Sequence, residues 1–416
     1  MTLSVELSGL QSAQTDLDTI GNNVANVGTT GFKSSRPNFT DLYSTSLLGA
    51  TGVKQSPGQG AAVTSVSQLF AEGSISQTGN PLDIAINGSG FLQLQTPSGI
   101  AFSRDGSLKL NAQGFLTNDT GSLVMGFGPP IGGGNAVASG PLGTIQISQS
   151  SISPVATSNL GLSVNLPTTD PAINTTTTPF AVNDPTSYNE SSTTTVFDSL
   201  GASRTLTTFF TQVSGSGSPP QWATHWEVTS SSGSVVASGA GGTLSFNSSG
   251  QLTAGTGSIN IAGLANGAAP LSITQKFTGS TLSNLAFGVD ALTNDGNGAG
   301  EFAGLQIGTD GSVIAQYSNG ATKTMGVIGL ANFVNPEGLI PTSNNNWVAS
   351  QDSGPAITNA PGTAGLGQLE AGAIEGSNVD LSTQLVNLIV AQQAYQANVQ
   401  GISVDQQDVQ RLLTLQ

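Results

Sequence analysis

From Leu3 onward apolar residues recur at steps of three and four: Leu3, Leu7, Leu10, Leu17, Ile20, Val24 and Val27, with Ala13 in the gap. Side chains spaced in this way share one face of an α-helix, so the chain is expected to begin with an amphipathic helix of about six turns. The other end repeats the pattern over a longer stretch. Leu381, Leu385, Leu388, Gln392, Tyr395, Val399, Ile402, Gln406, Val409 and Leu413 alternate steps of four and three, and only the two Gln are polar. At 1.5 Å per residue such a helix is roughly 50 Å long. Ser377-Asn378-Val379-Asp380 immediately before it reads as a capping box.

Neither helix can hide a narrow apolar seam by itself, so the economical arrangement packs the two together as a coiled coil. The chain would then begin and end in one domain. Positions beside the seam are mostly Gln, Asn, Ser and Thr instead of Glu and Lys, which leaves register to apolar packing and to neighbouring subunits.

Between the ends the pattern changes to short apolar runs separated by turn residues. Residues 31–71 are rich in Gly and Ser, with Ser56-Pro57-Gly58-Gln59-Gly60 as a turn, and read as an extended connector. From Gly79 to Phe127 the runs Leu82 to Ile86, Phe91 to Leu94, Leu108 to Leu110 and Leu123 to Met125 are divided by Asn87-Gly88, Asp105-Gly106 and Gln113-Gly114, which predicts a set of hairpins. Residues 148–296 are Ser/Thr-rich yet still alternate around Thr193 to Phe197, Thr205 to Phe210, Trp222 to Val228 and Thr243 to Phe246, so a β domain is expected there in place of disorder. Short strands return from Glu301 to Val334.

The fold class expected is therefore multidomain α+β, with paired terminal helices as a coiled-coil inner domain and nested all-β outer domains. Residues 1–30 and 377–416 would form the helical core, and residues 31–78 and 363–376 the connector. Residues 79–147 and 297–362 would form one β domain, with 148–296 a second inserted into it.

Composition narrows the possible functions. Gly contributes 55 of 416 residues and charged types only 8%, as suits short strands and tight turns. Lys plus Arg number 9 against 24 Asp plus Glu, a net charge of -15, and the cations are scattered. Neither a nucleic acid nor an anionic membrane surface is therefore an expected partner. No apolar run approaches the roughly 20 residues of a membrane span, and the start of the chain lacks the features of a secretory signal peptide. With no cysteine, neither disulfides nor thiolate chemistry are available.

Candidate catalytic groups are few. His225, the single histidine, lies between Trp222 and Trp226 in an expected strand and reads as structural. Asp290, Asn294, Asp295, Asn297 and Glu301 miss the EF-hand spacing and suit a turn. Gly88-Ser89-Gly90 lacks the rest of a dinucleotide fingerprint, and Asp16 and Asp18 fall on different faces of their helix. No catalytic, cofactor or metal site is expected, and the chain reads as a structural protein instead of an enzyme.

One further feature is specific. Leu17-Asp18-Thr19-Ile20-Gly21-Asn22-Asn23-Val24-Ala25-Asn26, followed by Thr30-Gly31-Phe32-Lys33, resembles the N-terminal motif of the flagellar rod and hook axial proteins. Glu375-Gly376-Ser377-Asn378-Val379-Asp380-Leu381, continuing to Ala391-Gln392-Gln393-Ala394-Tyr395-Gln396-Ala397, is similar to that family's C-terminal signature. Phe102 to Ser107, Leu330 to Phe333 and Glu337-Gly338-Leu339 look like its shared first β domain. The insertion, with Thr178 to Val182, Ser187-Tyr188-Asn189 and Val196 to Gly201, resembles the outer domain of hook-type members, and shorter rod-type members have no counterpart. The segment Leu48 to Ala62 and the tail Thr414-Leu415-Gln416 depart from the family pattern.

The resemblance implies a subunit that self-assembles into the curved tube of the flagellar hook, a universal joint that passes torque from rod to filament. A distal rod-type subunit is the alternative. It also implies export by the flagellar type III apparatus, a location in the hook outside the cell, and contacts with the distal rod, hook cap and hook-filament junction proteins. No cofactor, nucleic acid or membrane insertion is implied. The expected seam residues are Leu3, Leu7, Leu10, Leu17, Ile20, Val24, Leu381, Leu385, Leu388, Tyr395, Val399, Ile402, Val409 and Leu413. The motif residues are Gly21, Asn22, Asn23, Asn26, Gly31, Phe32, Ser377, Asn378, Val379 and Asp380.

Overall fold

The structure, a computed structural model, describes residues 2–42, 58–129, 141–213 and 219–414. The side chains of Leu3 and Leu413, most of Leu48 to Ala62 and the end of the tail lie outside the described residues. The described chain is mostly β-strand with one long helix at each end, α1 (Thr2–Ala25) and α2 (Leu381–Thr414). It divides into two compact units. Unit 1 is Met1–Gln149, Gly304–Ala315 and Lys323–Gln416, and unit 2 is Ser150–Ala303 and Gln316–Thr322.

In unit 1 the two helices pack together. Asn23 reaches Gln384, Gly9 lies against Asn398 and Gly401 against Glu6, so α1 and α2 run antiparallel. At 1.5 Å per residue α2 continues beyond the start of α1 by roughly two turns. The segment expected as a connector instead forms a hairpin-like pair, Ser35–Asp41 antiparallel to Ala61–Gln68, with a bulge at Asn38/Phe39.

The β part of unit 1 corrects part of the hairpin reading. Gln113-Gly114 does close a hairpin, between Leu108–Leu110 and Leu116–Asn118. Asn87-Gly88 does not, because Ile84–Asn87 pairs with Gln368–Ala371 from the far end of the chain. Ile84, Ala85 and Ile86 are all fully buried, a strand covered on both faces, and local alternation cannot identify its partner. The neighbouring strand Ile75–Gln77 likewise pairs with Ala373–Glu375. Phe91, Phe102, Phe333 and Trp347 meet edge to face, with Phe70 added from the segment after the hairpin.

Unit 2 is two five-stranded sheets sharing a core. One is an antiparallel meander from Glu190–Phe197 through Ser203–Gln212, Trp222–Ser230 and Val235–Phe246 to Leu252–Ala254. The other centres on Asn159–Pro167, which pairs in parallel with Leu271–Lys276 and Thr281–Ser283 and antiparallel with Gly288–Asn294. Alternate residues Leu160, Leu162, Val164 and Leu166 face Leu206, Phe210, Trp222, Trp226 and Val228. The turn at Asp198 to Gly201 is held by the buried Asp198 carboxylate, which accepts from Leu200 N, Ala202 N and Arg204 Nη2.

Candidate assembly surface

The helix pair buries a narrower and differently phased stripe than the sequence reading expects. On α2 the shielded positions include Gln384, Leu388, Ala391, Tyr395, Asn398 and Ile402, of which Ala391 is the most buried. On α1 they include Leu10, Ala13, Leu17, Ile20, Asn23 and Val24, with Asn23 and Ile20 the most buried. Leu7, Leu381, Leu385, Val399 and Val409 are exposed in the single chain. The facing stripe on α2 is rotated by roughly 50° from the expected seam, at 100° per residue. Close approach explains the shift, because small or amide-bearing residues sit where the helices meet: Cβ atoms at Gly9 and Gly401 would fall 2.7 Å and 2.6 Å from Asn398 Oδ1 and Glu6 Oε1.

The turn of the stripe leaves apolar residues uncovered on the far side of α2. Leu385, Val386 and Ile389 form one patch there, with Val386 60% and Ile389 54% exposed, while Val390, also exposed, lines a cleft with Ile20, Asn23 and Gln384. Farther along, Val399, Val404 and Val409 are also open. A soluble chain rarely leaves so many large apolar side chains clustered on one helix unless something covers them.

The two family-like motifs meet each other. Asn23 is buried: its Nδ2 donates to Ser35 O at 2.8 Å and its Oδ1 accepts from Ser35 N at 2.9 Å. Asn378 answers from the other end, accepting from Ser34 N at 2.7 Å and donating to Leu69 O and Ala71 O. Asn26 Nδ2 donates to Asn22 O beyond the last turn of α1, and Phe32 O accepts from Asn378 N. Gly31 has φ +66°, and a Cβ there would sit 2.6 Å from the Arg104 carbonyl carbon, so both conformation and space require glycine. At Gly21 nothing among the described residues lies near the position of a Cβ, so no contact among them accounts for that glycine.

The start of α2 differs from the expected capping box. The N-cap of α2 is Asp380, whose Oδ1 accepts from Ser382 N and Thr383 N while Oδ2 accepts from Thr383 Oγ1. These bonds hold its carboxyl below the ordinary carboxylate range. Ser377 instead accepts from Val379 N, and Val379 is buried, so the segment before Asp380 is a turn packed on the junction.

One cluster at this junction was not anticipated. Lys33 and Glu375, both fully buried, form an ion pair at 2.5 Å, and Arg104 Nη1 binds the second carboxylate oxygen at 3.0 Å. Burial pushes the Lys33 ammonium below its usual pKa, and the bond to Glu375 opposes that shift. Lys33 and Glu375 each lie inside a quoted motif, but no spacing rule links residues 342 positions apart.

Residues weighed for chemistry are tied into the fold. His225 stacks on Phe180 with centroids 4.1 Å apart and planes 8° from parallel, and burial lowers its pKa. Burial would raise the Asp295 carboxyl, but bonds from Ser158 N and Oγ and from Asn159 N and Nδ2 outweigh it and bring the pKa down to about 2. Asn294 donates to Thr195 O.

Comparisons with known proteins agree along the whole chain. Four family descriptions match: flagella basal body rod protein over residues 3–33, flagellar hook protein FlgE/F/G D1 domain over 85–167, flagellar basal body protein FlaE D2 domain over 165–297, and flagellar basal body rod FlgEFG protein C-terminal over 370–415. The chain is 37% identical over 419 residues to the flagellar hook proteins FlgE of Escherichia coli (strain K12) and of Salmonella typhimurium, covering 100% of each pair. It is 28% identical over 448 residues to the flagellar hook protein FlgE of Borreliella burgdorferi, covering 98% of both. Among solved structures, the crystal structure of Helicobacter pylori flagellar hook protein FlgE2 matches in fold with a TM-score of 0.53, at 13% identity, covering 71% of this chain and 99% of that one.

Proposed function

The chain belongs to the flagellar hook protein family, and on that premise we propose that the paired terminal helices are the element through which its copies polymerise. The chain is a structural subunit of the bacterial flagellar hook: relatives matched from end to end are hook proteins, and residues 165–297 match a D2 domain that the rod-type reading does not require. Within that role, the observation that carries the assembly reading is the apolar far side of α2, open in the single chain at Leu385, Val386 and Ile389. In the polymer, neighbouring copies cover it, and most of the entropy of ordering the chain ends is offset at that step.

The finer arrangement follows the family pattern. Residues 1–30 and 377–416 form a coiled-coil core, residues 148–296 an outer domain, and the weakly charged surfaces between outer domains let the tube bend as a universal joint. The partners expected besides further copies are the distal rod, hook cap and hook-filament junction proteins, reached after passage through the type III export apparatus. Electron microscopy of the full chain under polymerising salt, beside a version lacking residues 1–30 and 377–416, tests the assembly reading. Tubes from the full chain alone support it, and tubes from both overturn it.

A further inference from the structure

The buried ions of unit 1 carry a consequence for the order in which the chain completes its fold. Three charged groups meet where four stretches of backbone converge. Glu375 Oε1 accepts from Lys33 Nζ and from Gly73 N at 2.9 Å, while Oε2 accepts from Arg104 Nη1. Lys33 also donates to Ala71 O at 2.7 Å, and Arg104 to Gly88 O at 2.8 Å and Ile86 O at 3.4 Å. The Glu375 carbonyl accepts from Gly31 N at 2.7 Å. Relative exposures are 0% for Lys33, 0% for Glu375 and 4% for Arg104.

The charges are unequal: two cations share one carboxylate. A buried ion pair contributes little over an apolar substitute, but an uncompensated buried ion is strongly destabilising. Removing Lys33 leaves a balanced Arg104–Glu375 pair, whereas removing Glu375 leaves two cations buried with no partner carboxylate in the cluster; Glu72 attracts Lys33 only weakly from nearby. Position in the chain adds direction. Both cations are made long before Glu375, which also ends the strand Ala373–Glu375 that pairs with Ile75–Gln77 and leads into α2.

We propose that Glu375 is the folding key of unit 1: until the segment carrying it docks, Lys33 and Arg104 cannot be buried, so the N-terminal junction, the strand Ile84–Asn87 and the C-terminal strands close together as one late step. A chain delivered N-terminus first therefore keeps unit 1 open until its C-terminal end has arrived. Unit 2, with its own two-sheet core, does not wait for that step. This closure does not depend on how copies assemble.

Hydrogen exchange by mass spectrometry on full-length chains tests it, comparing wild type, Lys33→Met, Glu375→Gln and the triple variant K33M/R104M/E375M. Glu375→Gln should speed exchange roughly a hundredfold or more, together, in residues 30–36, 84–104 and 368–376, leaving Asn159–Pro167 unchanged. Lys33→Met should have a much smaller effect, and the triple variant should regain most of the protection. Equal effects of Glu375→Gln and Lys33→Met, or opening confined to 368–376, would overturn the proposal. If Glu375→Gln yields no folded chain, the triple variant decides: protection near wild type supports the key, and a triple variant equally unfolded overturns it.

Discussion

Single carboxylates show how the chain uses its few charges. Asp295 joins the start of strand Asn159–Pro167 to the end of Gly288–Asn294 through four hydrogen bonds, and its pKa falls to about 2. Because the folded pKa lies below the unfolded value of about 3.9, its contribution is complete above that value and is lost as pH falls toward 2. Asp295→Asn should therefore reduce the drop in unit 2 stability between about pH 5 and about pH 2.5, read as the change in urea midpoint. Asp380 acts locally. Replacing it with Ala should fray the start of α2, seen as faster exchange at Thr383 and Gln384, with unit 2 unaffected. The residues of the two motifs were legible as a resemblance, but their contacts were not. Asn23 and Asn378 bond backbone atoms far along the chain, and the pairing of Lys33 with Glu375 depends on a fold that brings residues 342 positions apart into contact.

At the scale of elements, periodicity located both helices and strands such as Phe91–Thr96, Ser203–Gln212 and Trp222–Ser230, but it missed Ser35–Asp41, Ala61–Gln68 and the central Asn159–Pro167, and it gave no partners. α2 carries apolar residues on more than one side, so a heptad can be drawn through Leu381, Leu385 and Val399 as readily as through Leu388, Ala391 and Tyr395. Only the contact with α1 decides between them, and it favours the stripe with small and amide side chains because those let the helices approach closely. The same limit applies to Ile84–Asn87. Its turn residues suggested a hairpin, yet its partner Gln368–Ala371 comes from the other end of the chain, information that no local window holds.

At the scale of the molecule, the chain ends are paired within unit 1, while unit 2 holds its own core. Membership of the hook family gives the role, and the exposed far side of α2 gives that role a physical handle. Burying one large apolar side chain contributes roughly 1.5 to 3 kcal/mol, so losing two from a subunit contact should raise the concentration needed for polymerisation by roughly a hundredfold or more. The most direct measurement is therefore the critical concentration of the full-length double variant V386S/I389S, followed by sedimentation and electron microscopy. Both side chains are exposed in the single chain, so its melting temperature should stay close to wild type while tubes disappear at wild-type concentrations. Tubes forming at the wild-type critical concentration would contradict the assembly role of this helix face.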